Sequence, residues 1–127
     1  MKEVVQEWVT VEFGAAGGEY VQPEEEWLDM EEYTSLAGVE QIPHFSTNLT
    51  MYLETAKNRE GPWEPVEDMD FESWEDTYTA ANQYAHHWVS GRGTDVTPGN
   101  RIERLVRVRL VATGAASICM RRTLILK

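Results

Sequence analysis

Two runs of strict alternation close the chain, and they constrain its fold more than any other feature. From Ile102 to Ala112, Ile102, Val106, Val108 and Leu110 fall on one face, and Arg107 and Arg109 fall on the other. After Thr113-Gly114-Ala115-Ala116, the run from Ser117 to Lys127 sets Ile118, Met120, Leu124 and Leu126 on one face. A period of two sends alternate side chains to opposite sides of a strand, so each run reads as a strand with one face to bury. Two such runs about a short turn predict a hairpin.

The rest of the chain has the same character. Glu3 to Phe13 alternates, with Val5, Val9, Val11 and Phe13 on one face, Gln6, Thr10 and Glu12 on the other, and Trp8 on the polar side. Gly14-Ala15-Ala16-Gly17-Gly18 reads as a turn, followed by a short strand over Glu19 to Gln22 that ends at Pro23. Glu24-Glu25-Glu26 is an acidic loop before another short strand, Trp27 to Met30. Leu36 to Ile42 is limited by Gly38 and Pro43 to an edge or a bent strand. Asn48 to Thr55 is clearer, with Leu49, Met51 and Leu53 against Thr50, Tyr52 and Glu54. Lys57 to Pro62 is a turn by composition, and Trp63 to Val66 resumes an extended run.

Residues 70–90 admit two readings. Trp74, Tyr78, Ala81, Ala85 and Trp88 recur at helical spacing, and Ser73 with Asp76 forms a capping-box pattern. The reading favoured is a loop with one helical turn and then a strand from Tyr84 to Ser90. Gly91 to Asn100 is loop, punctuated by Gly91, Gly93, Pro98 and Gly99. Seven or eight short strands with frequent turns predict a single all-β domain, an antiparallel β-sandwich of jelly-roll or immunoglobulin type.

The chain has 127 residues, enough for one domain with its own core. Its single cysteine, Cys119, excludes an internal disulfide and a cysteine zinc site, as expected in a reducing cytosol. No leader-like apolar stretch opens the sequence and no run approaches a membrane span, which predicts a soluble protein. The net charge of −11 argues against nucleic acid and against anionic membrane surfaces as partners. Residues 1–90 hold 20 acidic and 3 basic side chains, a balance of −17; residues 91–127 hold 8 basic and 2 acidic, a balance of +6. Two readings follow. Basic strands lie beside acidic ones in one fold, or copies dock basic patch on acidic patch to form a homo-oligomer. On the second, Arg104, Arg107, Arg109, Arg121 and Arg122 form the protein interface.

Candidates for chemistry fail on spacing. His86 and His87 are adjacent and point to opposite faces of a strand, and His44 stands apart. Cys119 alternates with the core face of the last strand and reads as a packed thiol. Glu24-Glu25-Glu26 and Glu31-Glu32 lack the alternating spacing of a calcium loop. Asn48-Leu49-Thr50 matches a glycosylation sequon, read as coincidence without a secretion signal. No catalytic residue, cofactor or metal site is expected, and a hydrolase built on a carboxylate pair is the weakest reading. Trp27, Trp63, Trp74 and Trp88 are candidate interface or ligand aromatics, which keeps a carbohydrate-binding module as the alternative.

One resemblance gives a direction. Leu49-Thr50-Met51-Tyr52-Leu53-Glu54-Thr55-Ala56, a turn, and Pro62-Trp63-Glu64-Pro65-Val66 resemble a strand–turn–strand pattern of small β-sandwich structural proteins of bacteriophages and phage-like particles. Val106-Arg107-Val108-Arg109-Leu110, Gly114 and Leu124-Ile125-Leu126 stand where those proteins close. The similarity covers about residues 49–66 and 105–126, and residues 67–100 are longer than the pattern. It implies a virion component assembled in the host cytoplasm: a capsid decoration protein or a head–tail or tail part, with other phage structural proteins as partners and no catalysis.

Overall fold

The computed structural model describes residues 1–70, 84–91 and 102–127. They form two antiparallel sheets. The strands are β1 (Lys2–Phe13), β2 (Gly18–Val21), β3 (Leu28–Asp29), β4 (Ser35–Phe45), β5 (Leu49–Ala56), β6 (Glu64–Asp70), β7 (Tyr84–Gly91), β8 (Leu105–Ala112) and β9 (Ala116–Leu126). Sheet A runs β1-β9-β4-β7, and sheet B runs β2-β8-β5-β6 with β3 also on β8. Because β2 and β3 lie end to end along β8, they act as one edge strand interrupted by a short 3-10 turn at Glu24–Glu26. Four strand positions in each sheet, with the chain crossing between sheets in this order, make a jelly roll. The fold is therefore the expected all-β sandwich, of the jelly-roll rather than the immunoglobulin type.

The alternation places the core. Even-numbered residues of β8 and β9, such as Val106, Val108, Leu110, Ile118 and Leu124, are buried, and they share one core with Leu36 and Ile42 of β4 and Leu49 and Met51 of β5. Each fully buried aliphatic side chain contributes about 1.5–3 kcal/mol. Gly17 closes the turn after β1 with φ +72, a value that suits glycine, and a Cβ there would stand 2.4 Å from the Ala112 carbonyl oxygen. Asn48 closes the same end by donating its side-chain amide to the Ala115 carbonyl at 3.1 Å.

Three strand readings change. First, β8 and β9 are not a hairpin: they lie in different sheets, joined by an arch. Both present an apolar face, and facing each other across the sandwich buries both at once. Second, β4 is an interior strand between β9 and β7, and it runs through Pro43 to Phe45. Pro43 is tolerated because the ladder to β9 shifts register between Gln41 and His44, and pairing with β7 ends at Ile42. Third, β1 carries a bulge. Gln6 pairs with Arg122 and Val9 with Met120, so Glu7 and Trp8 together oppose Arg121. The extra residue switches parity. Val4 and Gln6 share the core face with Val9, Val11 and Phe13, whereas Val5 is turned outward and is 39% exposed.

The strand expected from Tyr84 to Ser90 is present as β7. The proposed helical turn before it, with Ser73, Trp74, Asp76, Tyr78 and Ala81, lies outside the described residues, as does the loop expected from Gly91 to Asn100 apart from Gly91, which ends β7.

Candidate functional site

Most arginines of the final strands meet acids of the same chain. On the outer face of sheet B, the register sets Glu54 opposite Arg107 and Tyr52 opposite Arg109. Arg107 Nε donates to Glu54 Oε2 at 3.0 Å, and Arg109 Nε donates to Glu54 Oε1 at 2.6 Å. The Arg107 guanidinium lies 3.8 Å from the Trp63 ring centroid and 5.3 Å from that of Trp27. Trp27 and Trp63 meet edge to face at 4.9 Å. Arg109 lies over Tyr52 at 4.5 Å and reaches Glu19 at 3.5 Å. This stacking covers Glu54 to 5% exposure. Burial works against the Arg109 cation, but the Glu54 hydrogen bond and the charges of Glu54, Glu19 and Tyr52 hold its pKa above the ordinary arginine value. Both Glu54 oxygens are occupied, so this carboxylate is not poised as a general base.

Beside this cluster lies an open cleft of about 400 Å³, lined by Trp27, Lys57 and Leu105 and by two ion pairs. Arg59 pairs with Glu24, and Arg104 bridges Asp29 and Glu31 at 3.2 Å each. The hydrogen bond that Arg104 donates to Asp29, then the charge of Asp29 and that of Glu31, raise the Arg104 pKa. The indole of Trp27 donates to the Gln22 carbonyl at 2.7 Å, and that of Trp63 donates to the Arg59 carbonyl at 3.3 Å.

Arg122 behaves differently. It is an even-numbered residue of β9 and faces the core at 3% exposure. Its Nε donates to Glu40 Oε1 at 3.1 Å, and its Nη1 donates to Gln6 Oε1 at 2.8 Å. Gln6, Arg122 and Glu40 thus form a polar row across sheet A, in register with His86 on β7. Burial lowers the Arg122 pKa, and the charge and hydrogen bond of Glu40 oppose the shift. A small cavity of about 30 Å³, room for one water, sits against this row with Tyr20, Gln22, Glu26 and Met120 in its wall. Burial, and then the charge of Glu26, raise the Tyr20 pKa.

Of the candidate interface arginines, Arg104 is the most exposed at 48%, and Arg121 and Arg109 follow at 29% and 26%. Arg121 meets Glu7 and Gln41 on the outer face of sheet A, both at 3.3 Å. Arg107 and Arg109 are held at Glu54, and Arg122 is enclosed. Trp27 and Trp63 come together, Trp88 sits on β7 opposite Gly38, and Trp74 lies outside the described residues. Among the described residues, no three of His, Cys, Asp and Glu gather as a metal-binding group, and no helix is long and apolar enough to cross a membrane. His44 Nε2 lies 2.6 Å from Ser117 Oγ.

A second surface was not anticipated from the sequence. Among the described residues, the large apolar side chains left exposed are Met1, Val5, Trp8 and Val9, all at the start of the chain. Trp8 is 46% exposed. Their strand, β1, forms one edge of sheet A. The available signal was the pair of adjacent valines, Val4-Val5. Apolar residues fit the odd frame from Val5, or the even frame at Val4 and the odd frame from Val9, and the second requires a bulge.

No protein-family model and no curated protein matches the chain. A solved structure, described as "Bacillus endospore appendages form a novel family of disulfide-linked pili", is similar to it with a TM-score of 0.45 and 10% identity, covering 98% of this chain and 88% of that one. A likeness of that degree says nothing of what this chain assembles with.

Proposed function

We propose that this chain is a non-enzymatic structural subunit of a phage or phage-like particle, a capsid decoration protein or a head–tail or tail component, that works through protein–protein contacts. The observation that carries the reading is the exposed apolar pair of Val5 and Trp8 on an edge strand of a jelly roll with net charge −11. A chain this acidic has ample polar surface, so a valine and a tryptophan left exposed on an edge strand mark a contact surface. Jelly rolls serve in capsids, lectins and cupins, so the fold alone does not choose among them. The choice is supported by the phage-like pattern, which maps onto the adjacent strands β6, β5 and β8 of sheet B and onto β9. It is supported too by ionic groups engaged with one another, at Glu54, at Glu40 and in the wall of the cleft.

The sugar-binding alternative draws less support. Trp27 and Trp63 stack on each other and on Arg107, and their indole N–H groups are already used, so they offer no open row of ring faces.

Fractionation of particles tests the reading. Density-gradient-purified particles from the producing cells should contain the chain at stoichiometric level, seen by quantitative mass spectrometry. Particles that lack it, with all of the chain in the unassembled fraction, would sink the proposal.

A further inference from the structure

The occupant of the β1 surface can be argued from charge and geometry. Around Val5 and Trp8, the outer face of sheet A continues across β9 and β4. Their outward positions carry Ala37, Val39, Gln41, Cys119, Thr123 and Ile125, all half-buried by their neighbours. Arg121 is the one ion among the outward residues of these two inner strands, and Glu7 of the same chain already faces it at 3.3 Å. The acids of the face, Glu3, Glu7 and Glu12, lie on β1 at its rim. The opposite face of the molecule is the ionic one, with Glu54, Arg107 and Arg109 at its centre.

We propose that two copies of this chain pack face to face through the outer surface of sheet A, with Val5 and Trp8 of each covered by the other. The proposal rests on the assembly reading above and names the partner of that surface. A partner of opposite charge would need ions to read, and the centre of this face offers none free. Its complement is a surface equally poor in charge, and the same face on a second copy is such a surface. A two-fold pair uses one patch twice. Stacked sheets pack about 10 Å apart at small angles, as in the sandwich itself. Three strands of eleven or twelve residues and β7 of eight, about 4.8 Å apart and about 3.4 Å per residue, give a face on the order of 700 Å². A standard interface takes about 600–1,000 Å² from each partner, and the face falls within that range.

Edge-to-edge pairing of β1 with β1 is the competing geometry, and the strand is built against it. The bulge at Glu7 and Trp8 breaks the ladder. An antiparallel pair centred there would set Glu3 opposite Glu12, like charge against like.

The charge also fixes the sign of the salt effect. Two chains of net −11 repel, and an apolar contact between them is opposed by that repulsion. Screening relieves it, so the pair tightens as salt rises, whereas docking of acidic on basic patches loosens.

Sedimentation velocity on the full chain between about 20 and about 300 mM NaCl tests this. The expected result is a concentration-dependent dimer that tightens with salt. Trp8→Glu should weaken it by about tenfold or more with an unchanged far-UV spectrum, and Lys57→Glu on the other sheet should leave it unaltered. Should Trp8→Glu fail to fold, the wild-type chain still decides: the Cys119 thiol, on the covered face, should react more slowly with a disulfide reagent as protein concentration rises. A wild-type chain that stays monomeric at high concentration in both salts overturns the inference, and the particle fractionation then judges the assembly reading separately. A dimer that loosens with salt, that Lys57→Glu breaks while Trp8→Glu does not, or that leaves Cys119 reactivity independent of concentration overturns it as well.

Discussion

Glu54 holds two guanidinium groups while itself 5% exposed, so the loss of its charge is felt by both. Arg107 and Arg109 are 15% and 26% exposed, and without the anion they become neighbouring cations, one of them stacked on Trp63 with Trp27 beside it. Removing one partner of a buried pair costs about 3–5 kcal/mol, and partial exposure of the arginines reduces that. Glu54→Gln, which keeps the shape and drops the charge, is therefore expected to cost about 2–4 kcal/mol in urea unfolding. A change below about 0.5 kcal/mol would show that the arginines are held by stacking alone. At this scale the sequence was legible in parity and misleading in residue type. Arg122 reads as an interface residue, although it has the same parity as Met120 and Leu124, which alternation sets on the core face. Its charge argued for the surface. Glu40, opposite it in the ladder and equally enclosed, is what resolves the conflict, and that pairing spans 82 residues of chain. No local pattern reveals a partner that distant.

At the level of elements, strand existence was readable and strand neighbourhood was not. Every described strand was anticipated in place or nearly so, because period-two alternation is a local signal. Which sheet a strand joins depends on contacts between distant residues, so β8 and β9 look like a hairpin in sequence and form an arch in space. Pro43 shows the same limit: it marked β4 as an edge or a bent strand without deciding between them, and a register shift absorbs it in the sheet interior. Turns carry more local information, and the one after β1 gives a clean contrast. Gly17 has φ +72 and stands against the Ala112 carbonyl and the Gly114 amide, whereas a Cβ at Gly14 would meet nothing within 4 Å. Gly17→Ala should cost about 2 kcal/mol or more, combining a left-handed backbone with a backbone clash. Gly14→Ala should be neutral or stabilise by up to about 1 kcal/mol by restricting the unfolded chain. Thermal melts of the two variants check this, and equal effects would contradict the turn geometry.

For the whole molecule, the order of strands decides how it unfolds. Sheet A takes β1, β4, β7 and β9, and sheet B takes the strands between them, so neither sheet is a continuous piece of sequence. The first strand pairs with the last, from Lys2 opposite Leu126 to Phe13 opposite Ala116. Both sheets bury their apolar faces on the same core, and losing one exposes the other. The oppositely charged parts of the sequence are joined by the same interleaving, since basic β8 lies beside acidic β5 and basic β9 beside β1 and β4. We therefore expect the chain to unfold as one cooperative unit, with tryptophan fluorescence and far-UV circular dichroism giving the same midpoint. Folding should be slow for its size, on the order of milliseconds to seconds or longer, because closing β1 onto β9 orders nearly the whole chain before its contacts form. Two separated transitions in denaturant would mean that the sheets hold together independently, and the shared core would then have to be divided between them.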